Sequence, residues 1–113
     1  MPHLIIHYAK ELDSKPGAKR LVESVYQGAL ASGLFSAPGI KVRAQAFEHF
    51  QTGESDLPFI HVEARILGGR TADQKSALSA LILQGLSELP LASVSLTVEV
   101  VDMHNPSYAK LVK

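Results

Sequence analysis

At 113 residues and 46% hydrophobic content, the chain has the size of one compact domain, 1–113, that can bury a core unaided. Eleven Lys and Arg balance eleven Asp and Glu without a long basic run, so nucleic acid is not an expected partner. The absence of cysteine excludes a disulfide framework, a thiolate zinc site and a cysteine nucleophile together.

The chain opens on Met1-Pro2-His3-Leu4-Ile5-Ile6-His7-Tyr8. Leu4, Ile6 and Tyr8 alternate with His3, Ile5 and His7, the period of a strand. This run is too short to span a membrane and no charged segment precedes it, so neither a signal peptide nor a transmembrane helix is expected, and the expected location is the cytoplasm. Pro2 is a tolerated head for an edge strand, where a missing N–H costs nothing. It has a second possible use. Were Met1 removed, the Pro2 nitrogen would change from an amide into a secondary amine able to take a proton. An α-amine titrates near 7.7–8.0, and burial or neighbouring cations lower that towards the range of a general base.

Asp13 and Ser14 are possible N-caps for a helix in which Ala18, Leu21, Val22, Val25, Ala29 and Leu30 form one stripe, with Gly33 placed for a left-handed C-cap. Pro38-Gly39 turns the chain into a second strand, 40–47, with Ile40, Val42, Ala44 and Ala46 on one face and Lys41, Arg43 and Gln45 on the other. Residues 48–57 form a hairpin or loop. A third strand, 57–67, sets Ile60, Val62, Ala64 and Ile66 against His61, Glu63 and Arg65. After Gly68-Gly69-Arg70, Thr71 to Gln74 has the form of a capping box. The helix it starts carries Ala77, Leu78, Leu81, Ile82, Leu86 and Leu89 and stops before Pro90. Val94 to Val100 alternate as a fourth strand, and Met103 to Lys113 form a tail whose Tyr108, Leu111 and Val112 need cover.

Strand, helix, strand thus occurs twice, which predicts an α+β fold. Two βαβ units with right-handed crossovers build a four-stranded mixed sheet covered by two helices on one face. The other face, with Arg43, Gln45, His61, Glu63, Arg65, Thr97 and Glu99, lacks cover from its own chain. An antiparallel pairing of the units lets it be wet, and Leu67, Val101 and the apolar tail favour oligomerisation.

His3 and His7 share a strand face but stand about 13 Å apart at roughly 3.3 Å per residue, too far to ligate one ion. No metal site is expected. Neither a nucleophile elbow nor a phosphate loop is present. Arg70 is on its own a solvated loop arginine with little core packing. Together with Lys41 and Arg43 it completes a set of cations that could lower the pKa of an amine at Pro2 and hold an acidic substrate.

Met-Pro-His at the start, Gly33-Leu34-Phe35 through Gly39 to Arg43, Phe59-Ile60-His61-Val62 and Gly68-Gly69-Arg70-Thr71 resemble the 5-carboxymethyl-2-hydroxymuconate isomerase family of the tautomerase superfamily. The resemblance runs almost the full length, and Gly69 to Lys75 is similar to a helix start in 4-oxalocrotonate tautomerases. It implies a tautomerase-like homotrimer without metal or organic cofactor. The processed Pro2 would be the base that moves a proton between the 2-hydroxyl side of a dienol and a distant carbon. Arg70 matches an arginine thought to hold substrate carboxylate, and Arg43 matches a second. Lys41 stands where the bacterial isomerase has arginine, keeping the charge but losing the two-pronged grip on a carboxylate. The expected function is a cofactor-independent isomerase of a dicarboxylic or tricarboxylic keto/enol acid. The alternative is a non-catalytic oligomeric binding module of the same fold, with Met1 retained and Arg70 in a structural role.

Overall fold

The computed structural model describes residues 1–113. Two βαβ units follow one another: β1 (His3–Ala9), α1 (Ala18–Ala31) and β2 (Lys41–Phe47), then β3 (Phe59–Leu67), α2 (Ala72–Ser87) and β4 (Ser95–Met103). The sheet order is β2-β1-β3-β4. Each unit pairs its own strands in parallel, and β1 meets β3 antiparallel, with Ile6 opposite Val62 and His3 opposite Arg65. The expected mixed sheet with two helices on one face is therefore present.

The core follows the strand alternation. Leu4, Ile6 and Tyr8 of β1 and Ile60, Val62, Ala64 and Ile66 of β3 are buried against Leu21, Val25 and Ala29 of α1 and Leu78, Ile82 and Leu86 of α2. Burying one such aliphatic side chain is worth about 1.5–3 kcal/mol, so two central strands alternating in phase commit the sheet to one buried face. The helices touch closely because Gly28 faces α2. A Cβ there would stand 3.0 Å from the Ile82 Cα, a contact with backbone that cannot rotate away.

Several local expectations need correction. The N-cap of α1 is Gly17, with no side-chain cap, whereas Asp13 belongs to a 3-10 turn, Lys10–Asp13, that seats Leu12 in the core. Asp13 instead accepts the Tyr8 hydroxyl, and burial, ahead of this carboxylate, pushes the Tyr8 phenol up to about 12. The third strand starts at Phe59 rather than residue 57, since the Pro58 ring leaves no N–H for a ladder. The fourth reaches Met103, three residues beyond Val100, because β3 continues alongside and pairs Leu67 with Met103. Ala77 is exposed, off the α2 stripe. By contrast, the Thr71–Gln74 capping box is complete, and Gly33 takes the left-handed conformation, φ 72°, just past α1.

Candidate active site

The start of β1 is tied down rather than frayed. Pro2 is fully buried, and its carbonyl accepts the Lys41 N–H at 3.1 Å, which extends the parallel ladder to the second residue of the chain. Met1 is held by both of its ends. Its amine donates to the Gly39 carbonyl at 3.1 Å, and its sulfur accepts the Leu67 N–H at 3.3 Å. Gly39 leaves room beside it, since a Cβ there would crowd the Met1 carbonyl oxygen at 3.1 Å.

Lys41 follows β2 onto the same spot, where its ammonium donates to the Gly39 carbonyl at 3.0 Å. Amine and ammonium thus share one acceptor. Burial, followed by this hydrogen-bonded Lys41 and the charges of Lys41 and Lys110, lowers the terminal amine from 8.0 to about 6. Desolvation and like charge both penalise the protonated form, so a neutral amine is favoured here near pH 7.

Arg70 arrives from the other side. Its guanidinium donates to the carbonyls of Leu67 at 3.3 Å and Leu34 at 3.0 Å and lies over the Phe35 ring, 5.4 Å from the centroid. It is half-buried and packed, so the expectation of a loop arginine with little packing does not hold. Leu67 joins the two groups: its N–H serves Met1 and its carbonyl serves Arg70. Met1 thus meets Lys41 through the Gly39 carbonyl and Arg70 through Leu67. Arg43 lies one pleat further along β2 and is exposed, with its Nη1 donating to His3 Nδ1 at 3.5 Å.

The sequence alone singles out neither His3 nor Tyr108 for the site. In the structure His3 links Arg43 to Tyr108, whose hydroxyl lies 3.0 Å from His3 Nε2. Burial, then the charges of Arg43, Lys41, the N-terminus and Arg65, hold the imidazole below its ordinary 6.5. The tail is clasped by Asn105, which accepts the Gly68 N–H at 2.8 Å and donates to the Gly68 carbonyl at 3.1 Å. The sequence signals for these contacts are Tyr108, an aromatic in a tail that needs cover, and Gly39 at the turn into β2.

The side-chain ion pairs of the chain all lie elsewhere: His61–Glu99, Arg65–Glu63 and Lys75–Asp102. Lys41, Arg43 and Arg70 have no carboxylate partner. Nor do three His, Asp or Glu side chains gather anywhere as a metal-binding group. The arrangement offers an amine that is neutral near pH 7 and cations free to meet an anion.

The profile of the 5-carboxymethyl-2-hydroxymuconate isomerase family matches residues 2–110. The chain belongs to this family. It is accordingly an isomerase. A solved 5-carboxymethyl-2-hydroxymuconate delta-isomerase superposes with a TM-score of 0.87 at 22% identity, over 99% of this chain and 89% of that one. A 5-carboxymethyl-2-hydroxymuconate isomerase from Deinococcus radiodurans R1 gives 0.75 at 22% identity, over 99% and 90%. The W0 fused 4-OT wild type symmetric trimer gives 0.77 at 12% identity, over 96% and 93%, which marks the fold of this isomerase as tautomerase-like. No curated protein matches the sequence. As for membranes, no helix of the isomerase is long and apolar enough to cross one.

Proposed function

We propose that the protein is a cofactor-independent keto/enol tautomerase acting on an unsaturated di- or tricarboxylic acid of the 5-carboxymethyl-2-hydroxymuconate type, with Pro2 as general base once Met1 has been removed. The observation that carries this reading is the juxtaposition of the chain's start with Lys41 and Arg70, while Arg43 stands one pleat away. None of the three cations has a carboxylate partner.

With Met1 in place, the Pro2 nitrogen is an amide and holds no basic lone pair. Removing Met1 moves the amine one residue inward to a fully buried ring, into the surroundings that already lower the Met1 amine. The same step frees the Leu67 N–H, leaves the Gly39 carbonyl to Lys41 alone and opens space beside the new amine. In this reading Pro2 takes a proton from the 2-hydroxyl side of the dienol and returns it to a distant carbon. Arg70 and Lys41 hold carboxylate near the amine, and Arg43 holds a second one further along the sheet. Arg70 is already ordered by Leu34, Leu67 and Phe35, so little side-chain freedom is lost on binding.

The family membership and the trimers among structural relatives support a homotrimer, which would cover the open sheet face. A cytoplasmic location fits a chain of this kind. The deciding experiment compares Met1-free and Met1-retaining protein, separated by intact mass, on a 2-hydroxymuconate-type dienol. The Met1-free form turns it over and the Met1-retaining form is nearly inactive; equal turnover would remove Pro2 as the base. Light scattering checks the assembly, and a monomer at micromolar concentration would count against the trimer.

A further inference from the structure

The tail beyond β4 approaches the cation-rich end of the sheet through one side chain. Tyr108 leaves the short turn Asn105–Ser107 and sets its ring edge-on to His3, with centroids 5.9 Å apart and planes at 67°. Arg43 donates to His3 Nδ1, and a guanidinium has only donors. With Nδ1 assigned as the acceptor of this guanidinium, the ring hydrogen sits on Nε2. That hydrogen points at Tyr108, so the tyrosine oxygen is the acceptor in their 3.0 Å contact. The phenolic hydrogen is left over. No other group of the chain hydrogen-bonds this hydroxyl, which lies half-buried next to the open face. The order Arg43 to His3 to Tyr108 thus runs in one direction and ends on a free O–H donor.

Arg43 and Tyr108 flank one imidazole, so a carboxylate lying across the ring can take a hydrogen from each. We propose that Tyr108 is a specificity-determining residue whose hydroxyl donates, beside Arg43, to the carboxylate further along the sheet, while Arg70 and Lys41 hold the one near the amine. The inference rests on the carboxylate-binding reading of the site given above. His3 acts as a positioning residue that fixes which way the tyrosine hydrogen points. Asn105, clasping Gly68 with both amide atoms, holds the tail so that the hydroxyl stays over the sheet.

Two six-carbon dienoic acids of equal length test this: muconate, with a carboxylate at each end, and sorbate, with one. Binding to the Met1-free protein is measured by calorimetry, which does not depend on turnover. Muconate binds the unaltered protein more tightly than sorbate. Tyr108→Phe then weakens muconate by about tenfold, the size of one hydrogen bond to a charged group, and leaves sorbate unchanged. Asn105→Ala, which loosens the tail while keeping the hydroxyl, weakens muconate in the same selective sense. Unchanged muconate binding in Tyr108→Phe, or equal losses for the two acids, overturns the role of Tyr108 while the wider reading of the site survives. Failure of both acids to bind the unaltered protein overturns the carboxylate-binding reading itself, and the role of Tyr108 with it.

Discussion

The two βαβ units share a topology but handle charge differently. In the second, every ion pair is closed within or beside the unit: His61 with Glu99 at 2.6 Å, Arg65 with Glu63 at 3.0 Å and Lys75 with Asp102 at 3.1 Å. In the first, Lys41 and Arg43 occupy equivalent outward positions on β2, yet their partners are the Gly39 carbonyl and the His3 ring nitrogen. A cation hydrogen-bonded only to neutral acceptors can still gain from an anion, whereas a paired one must first give up its carboxylate. Symmetry of fold therefore does not bring symmetry of function. The first unit holds the chain's start and sets Lys41 and Arg43 near it without a carboxylate, and the second adds only Arg70 in that state, its Arg65 and Lys75 being paired.

The sharpest way to break the contrast is to block the first unit's amine. An added residue ahead of Pro2 should lower kcat by about 10²-fold or more, the range of a lost general base. Pro2→Ala, processed so that it begins on Ala, keeps a primary amine and should retain part of the activity with a displaced pH profile. Next in size is the charge itself. Arg43→Gln should raise the dicarboxylate KM by about tenfold or more, while Arg65→Gln in the second unit, which breaks only a partly exposed pair, should stay within about threefold. Equal effects of the two substitutions would erase the distinction between the units.

The seam between units gives a stability test. Gly28→Ala pushes a methyl group against the Ile82 backbone and should cost about 1–3 kcal/mol in denaturant unfolding, with m unchanged. Arg70→Ala should lose substrate binding and, in addition, about 1–2 kcal/mol of stability, because it removes two hydrogen bonds to carbonyls and a stacked cation. Lys41→Arg should lower KM a few-fold through the two-pronged contact with a carboxylate; an unchanged KM would place Lys41 outside the site.

The smallest effect is a pH dependence of the Met1-bearing form. Its amine titrates at about 6 when folded against 8.0 when unfolded. Between those values the unfolded chain binds more protons, so stability should rise as pH goes from about 6 to 8. His3, also lowered, adds a rise of the same sign below its ordinary 6.5. A denaturant midpoint that stayed flat or fell across this range would mean that the amine is not held as described.

Local pattern carried most of the fold. The alternation in β1 and β3, the Thr71–Gln74 box and Gly33 each act over a few residues, so their consequences could be read without knowing what lies opposite. Errors clustered where a partner decided the outcome. Asp13 was drawn away from α1 by the Tyr8 hydroxyl, β4 was lengthened by the strand beside it, and Gly28 sat unremarked in α1 until α2 crossed it. At the site, Pro2, Lys41, Arg43 and Arg70 could all be singled out by residue type and position. Their grouping as a set of cations around an amine was an expectation from charge and position, to which the family resemblance added roles.

The sequence by itself determined the order of elements, the buried face of each strand and the presence of three candidate cations, because side-chain periodicity and turn chemistry act over a handful of residues. Only the tertiary structure decided which cations remain without a carboxylate, that Arg70 is packed on Phe35, and that His3 and Tyr108 come within hydrogen-bond distance. Those depend on strand register and on contacts as distant in sequence as His3 and Tyr108, and a hydrogen bond closes only when the fold brings donor and acceptor within about 3 Å.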